Sequence, residues 1–194
     1  MRASRTRLGA RGLGVLAAVW LSGCGYGALQ KQDAQVESAW SEVVSQYQQR
    51  AALVPNLIGI VKGYAPQEQS LLDGVSDADA KARSIPVSSR LIDDPRSLAQ
   101  LQSAENGLTA ALSRLLAIAD KYPDLKADQN FRDAEALLET ADAGIAAARR
   151  NYADAAHEYN HTVRSFPERL TASMFGYTPK ADLAGGSDPV PQRP

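Results

Sequence analysis

The sequence predicts an all-α protein, an elongated antiparallel bundle of about four long helices. Three observations carry this. Ala and Leu supply 54 of the 194 residues, whereas Val, Ile and Thr together supply 23, a balance that favours helix over a sandwich or barrel. Apolar residues recur at alternating steps of three and four, the spacing of one helix face. Stretches rich in Pro, Ser and Gly punctuate those stripes. A chain of this length fits one domain and can bury roughly 70% of its unfolded surface. Its single cysteine excludes an internal disulfide and a cysteine-based zinc cage.

The first 23 residues read as an address. Arg2, Arg5, Arg7 and Arg11 form a basic region without acids, and Leu13 to Leu21 form a short apolar run, about half of what spans a bilayer comfortably. This is the layout of a secretory signal peptide. Leu21-Ser22-Gly23-Cys24 then resembles the lipobox of bacterial lipoproteins. The resemblance implies cleavage after Gly23 and lipidation of Cys24, whose acyl chains at about 0.8 kcal/mol per buried methylene would hold the protein on a membrane. The alternative is an uncleaved anchor with an incidental cysteine. Gly25, rather than Asp, follows the cysteine; by analogy with Gram-negative lipoproteins this points to outer-membrane sorting where a cell has two membranes. Without the leader the chain carries 17 basic and 22 acidic residues, a net charge of −5, which gives no reason to expect nucleic acid as a partner.

The bundle domain is expected over residues 24–183. Leu29, Val36, Trp40, Val43, Tyr47 and Val54 mark the face of a first helix, about 39 Å long from Leu29 to Val54. Pro55 is expected to break or kink it, or to open a new helix carrying Leu57, Ile58 and Val61. Gly63 and Pro66 mark the next boundary, and Leu71, Leu72, Val75, Ala78 and Ala82 a second helix. Residues 84–95, with Ser84, Pro86, Ser88, Ser89 and Pro95, read as a loop. Asp94-Pro95 is an N-cap and first-turn proline for a helix carrying Leu98, Leu101, Leu108, Leu112, Leu115 and Ala119, ending near Pro123. The last helix begins between Asp128 and Phe131, and its stripe runs through Leu138, Ala141, Ile145, Ala148, Tyr152, Ala155, Tyr159, Val163 and Phe166 to Pro167. Beyond Lys180 the composition turns to Gly, Ser, Asp and Pro, and residues 184–194 read as a disordered tail. Gly59, Gly74, Gly107 and Gly144 lie inside helical patterns and mark either close packing or mobile spots, each at a cost of about 1 kcal/mol relative to Ala.

Several motifs in order resemble the LemA family. They are Val36-Glu37 with Ala39-Trp40, Gln49-Arg50, Leu53-Val54-Pro55-Asn56-Leu57 and Val61-Lys62-Gly63-Tyr64-Ala65. Further on come Tyr122-Pro123-Asp124-Leu125-Lys126-Ala127, Asn130-Phe131, Ile145 with Ala148-Arg149-Arg150, Tyr152, Tyr159-Asn160, Phe166-Pro167 and Met174-Phe175-Gly176-Tyr177. The resemblance spans about Tyr26 to Lys180. It implies a membrane-tethered helical bundle, facing away from the cytoplasm in many members, and supplies no catalytic set. Gln67, Asp79, Ala134 and Ala153 depart from residues common in the family, and the lipobox replaces its usual uncleaved helix.

One motif could carry chemistry. His157-Glu158-Tyr159-Asn160-His161 matches H-E-x-x-H, which on a helix puts two imidazoles one turn apart for zinc, with the glutamate to activate a bound water. The stripe through Tyr159 turns both histidines to the opposite, wet face, beside Asp154 and Arg164, and no further His or Cys completes a site. Tyr64, Tyr122, Tyr152 and Tyr159 could line a pocket, but helical spacing favours packing. Arg149-Arg150 beside Asp142 and Glu139 is a charged surface or a docking face. Arg50 and Asn56, beside Pro55, are candidates for an interaction at a helix break. The resulting expectation is a non-enzymatic lipoprotein of the bacterial envelope. Cys24 lipid ties it to the membrane, its bundle binds an unidentified envelope protein, and no catalytic, cofactor or metal residues are expected. The alternative is a zinc hydrolase using His157, Glu158 and His161.

Overall fold

The computed structural model describes residues 6–183, with side chains described from Tyr26 onward. The leader, Cys24 and the tail at 184–194 therefore lie outside the described residues or side chains. Six helices follow in order: α1 Thr6–Tyr64, α2 Gln69–Arg83, α3 Pro95–Ala117, α4 Pro123–Ala127, α5 Gln129–Arg164 and α6 Glu168–Phe175. Short 3₁₀ turns cover Pro66–Glu68, Ser89–Asp93 and Ile118–Lys121. There is no strand among the described residues, and the fold is the expected all-α bundle. No helix among them is long and apolar enough to cross a membrane.

The core has two parts, and they give the helices their directions. One cluster gathers Leu29, Val36, Trp40, Val43 and Tyr47 with Leu98, Leu101 and Ile145 to Val163. The other gathers Val54, Leu57 and Val61 with Leu72, Val75, Ala104 to Leu115, Phe131 and Leu138. Thus α1 and α3 run from the first cluster to the second and α5 runs back, antiparallel to both. The most extensive packing is α1 on α5, then α2 on α3. Gly144 is the one helical glycine among these at a close approach: a Cβ there would run into the Gln46 side chain of α1, whereas Gly59, Gly74 and Gly107 face open space.

Local chemistry starts the helices where the sequence placed them. The Asp94 side chain accepts from the Arg96 amide at 3.0 Å and from Ser97 Oγ, with Pro95 in the first turn of α3. Asp128 accepts from the Phe131 amide at 2.8 Å at the start of α5. These hydrogen bonds hold both carboxyls below the usual carboxylate range. Trp40 is buried, packs edge-on against Tyr152 at 5.7 Å and donates its indole N–H to Ser88 O at 3.2 Å. Burying a side chain of this size contributes on the order of 3 kcal/mol.

Three expectations are corrected. First, Pro55 does not break the chain: α1 continues through it to Tyr64. A proline has no N–H for the carbonyl four residues back. That carbonyl, on Ala51, instead accepts from Arg83 of α2 at 2.6 Å, and the ring itself faces outward. Second, the segment 84–95 is more than a loop. Its 3₁₀ turn drives Leu91 and Ile92 into the first cluster. Third, the α5 stripe passes through Ala156, with Ala155 only half-buried, because α-helical spacing places the next inward residue four after Tyr152. Phe166 is 79% exposed, since α5 ends at Arg164 and its periodicity no longer applies.

The C-terminal segment is ordered through residue 183, inside the bounds expected for the bundle domain. After Pro167 the chain forms α6, closed by Gly176 in the left-handed region (φ 77°) with the Tyr177 amide on Ala172 O at 2.9 Å. Residues 178–183 then strap the first cluster. Tyr159 Oη donates to Thr178 O, Asn160 both donates to Lys180 O and accepts from its amide, and Tyr152 Oη donates to Ala181 O at 2.7 Å. The Ala181 amide reaches Ile92 O, and Leu183 is buried. Lys180 Nζ lies 3.0 Å from carboxylates of Asp33 and Asp93, over the Tyr159 ring. Burial alone would lower its pKa; the two carboxylates outweigh that and hold it above the usual value.

The bridging of Pro55 is open to a double-mutant cycle. Arg83→Met should cost about 1 kcal/mol more when Pro55 is present than in a Pro55→Ala background, where Ala51 O regains an amide donor. Equal costs, read from urea unfolding, would show that Arg83 does not serve that carbonyl.

Candidate functional site

The only charged side chains buried among the described residues, Arg50 and Glu105, occupy positions that the helix stripes reserve for apolar residues. On α1 Arg50 falls between Tyr47 and Val54. On α3 Glu105 falls between Leu101 and Leu108. Each is therefore carried inward by the spacing of its neighbours, at the level where the two apolar clusters meet.

There the Arg50 guanidinium binds four groups. One nitrogen donates to Glu105 Oε2 and to Glu105 O at 3.3 Å; the other donates to Thr109 Oγ1 at 2.6 Å and to Asp142 Oδ1 of α5 at 3.3 Å. The Tyr47 ring lies 5.9 Å away on a cation–π contact. Arg50 Nε is buried without a partner. Burial pushes the Glu105 carboxyl up, and Arg50 pulls it back part of the way. The layer thus ties α1, α3 and α5 together through one cation.

Beside it lies a cavity of about 270 Å³, lined by Tyr47, Ala51, Leu101 and Glu105, with Arg83 at its α2 side. Arg83 Nε also pairs with Asp79 at 2.8 Å, and Asp79 Oδ1 is buried without a partner. The lining is mainly aliphatic and aromatic, and it holds one carboxyl and one guanidinium.

The other residues singled out from sequence are dispersed. His157 and His161 are exposed, the expected wet face. Glu158 accepts from Gln32 at 3.3 Å, and His161 Nδ1 is 3.5 Å from Ser165 Oγ. No three His, Cys, Asp or Glu among the described residues converge as a metal site. Tyr152 and Tyr159 are core residues whose hydroxyls hold the C-terminal strap, and burial raises both pKa values well above normal. Tyr64 and Tyr122 lie at the opposite end: Tyr64 Oη donates to Asp128 at 2.8 Å, and Tyr122 Oη accepts from Gln67 and donates to Glu68. Asp142 reaches Arg50, while Asn56 is exposed on an unbroken helix. Glu105 was not among the sequence candidates, although an acid at a stripe position opposite Arg50 is a legible signal.

Comparison with known proteins finds a family and several relatives. The model of the LemA family matches residues 39–189. Magnetosome protein MamQ 2 and MamQ 1 of Paramagnetospirillum magneticum are each 25% identical over 162 residues, 75% of this chain. Magnetosome protein MamQ of Magnetospirillum gryphiswaldense is similar to the same degree. The chain spans 59% of the length of these relatives.

Removing one partner of a buried pair leaves an uncompensated charge, which costs about 3–5 kcal/mol. Arg50→Met should therefore destabilise strongly in denaturant unfolding, and adding Glu105→Leu should recover most of the loss. A double variant as unstable as the single one would refute the assignment of the cost to the stranded carboxylate.

Proposed function

The chain belongs to the LemA family, and from that premise we propose that it is a lipid-anchored, non-enzymatic protein of the bacterial envelope whose bundle is a platform for another envelope protein. The observation that carries this reading is the use made of the chemically capable residues. Arg50, Glu105, Asp142, Tyr152, Tyr159 and Lys180 are committed to contacts between elements of the fold. What remains outward along α1 to α5 is a long, largely polar helical surface. The relatives are named for a subcellular structure, the magnetosome, and not for a reaction, which supports an organising role over hydrolysis.

The anchor rests on the leader and on Leu21-Ser22-Gly23-Cys24. The resemblance of that motif to a lipobox supports lipid on Cys24, and Gly25 supports outer-membrane sorting in a two-membrane cell. With a net charge of −5 after cleavage, the lipid rather than a polybasic patch supplies the attachment.

Intact-mass measurement of the native protein should show residues 1–23 missing and acyl mass on Cys24. Cys24→Ser should abolish both, and cross-linking in cells should lose its envelope partner when the protein is released. Unchanged processing and membrane retention in Cys24→Ser would overturn the lipoprotein reading. Absence of any reproducible cross-linked partner in the wild type would overturn the platform.

A further inference from the structure

We propose that α6 is a membrane-contacting element: the face formed by Leu170 and Met174, flanked by Phe166 and Phe175, lies in the headgroup region of the bilayer that anchors the chain. This rests on the membrane-anchored reading above. The observation is a concentration of exposed large apolar side chains in one short stretch. Phe166 and Met174 are 79% exposed, and Leu170 and Phe175 58%. Leu170 and Met174 stand one turn apart, so they share a face, while Ala172 turns the other side of α6 into the core. Scattered apolar residues need no explanation, but four within ten residues do.

The place of this patch identifies its occupant. Tyr26 of α1 packs against the Phe175 ring at 4.8 Å and the Tyr177 ring at 6.4 Å. Cys24 is two residues before Tyr26, about 3 Å of helix rise, and the apolar run ending at Leu21 is about 8 Å away. Whether the chain enters the bilayer through acyl chains on Cys24 or through that run, the lipid surface meets the protein beside α6. Arg164 and Arg169 are exposed at the edges of the patch, where guanidinium groups can reach lipid phosphates while their stems lie on the acyl boundary. A single lipidated residue would let the bundle swing freely. A second contact at α6 fixes how the long axis stands on the membrane and which polar face it offers to a partner.

The test uses the mature protein purified with its natural N-terminus and reconstituted in phosphatidylethanolamine–phosphatidylglycerol vesicles. Met174→Trp places a fluorophore on the patch, and Ser113→Trp places one on exposed α3 in the half of the bundle away from Tyr26. Each is compared with the unsubstituted protein, whose Trp40 is buried. Lipids brominated on the acyl chain should quench the Met174→Trp signal roughly twofold, since interfacial helices sink their apolar face only to the headgroup boundary. They should leave the Ser113→Trp signal unchanged. Flotation is measured on the same samples. Protein that floats while neither position is quenched overturns the contact but leaves the anchor standing. Protein that does not float overturns the anchor and this inference with it. A blue-shifted, unquenched Met174→Trp signal with cross-linked dimers assigns the patch to a second copy, and the same signal in a monomer assigns it to the chain beyond residue 183; either defeats the proposal.

Discussion

The bundle is organised around one buried cation. Arg50 stands where an apolar residue would complete the α1 stripe, and its guanidinium is satisfied only if Glu105 and Thr109 of α3 and Asp142 of α5 arrive at the same level. Apolar stripes alone specify register weakly, because a one-turn slip brings similar side chains together. A charge in the seam makes such a slip expensive, since it would leave Arg50 and Glu105 each buried without a partner. Coiled coils use single polar seam residues in the same way. Here the layer divides the core into two apolar halves and aligns both, so the position of Trp40 against Ser88 and Tyr152 depends on it as much as the packing of Val54 and Phe131 does.

That alignment determines what the C-terminal segment can do. The strap at residues 178–183 crosses the first half of the core and is held by groups from α1, the Ser89–Asp93 turn and α5. Lys180 alone bridges Asp33 and Asp93. These partners come into reach only when α1 and α5 are in register. The strap in turn holds α6 against Tyr26, at the end of the bundle nearest the leader. In the proposed orientation, a charge layer in the middle of the molecule sets the geometry of a membrane contact at one end. The Tyr64–Asp128 and Gln67–Tyr122 hydrogen bonds close the opposite end.

Local patterns carried much of this fold legibly. The stripe from Leu29 to Val54, the caps at Asp94 and Asp128, and the outward histidines follow from periodicity and short-range hydrogen bonding, which one sequence displays. What it conceals is compensation from a distance. Pro55 signals a break until Arg83, 28 residues later, serves the carbonyl it strands. Residues 84–95 look like a loop because Leu91 and Ile92 are too few to show a period. The strap is composed of residues that carry no helical signal, and its partners lie 19 to 147 residues away in sequence. Glu105 was legible in principle: an acid at the stripe position after Leu101 has to find a cation, and Arg50 interrupts the α1 stripe in the same manner.

The central claim is that the Arg50 layer sets helix register, and distance distributions between spin labels on α1 and α3 address it directly. With Cys24 replaced by Ser, labels at the exposed positions Gln49 and Ser103 should give one narrow distance in the otherwise native chain. In the Arg50→Met, Glu105→Leu background, further populations displaced by about one helical turn, roughly 5 Å, should appear while the helical content stays the same. A single unchanged distance in that background would mean that packing and loops alone fix the register, and the account of the layer as the organising element would fail.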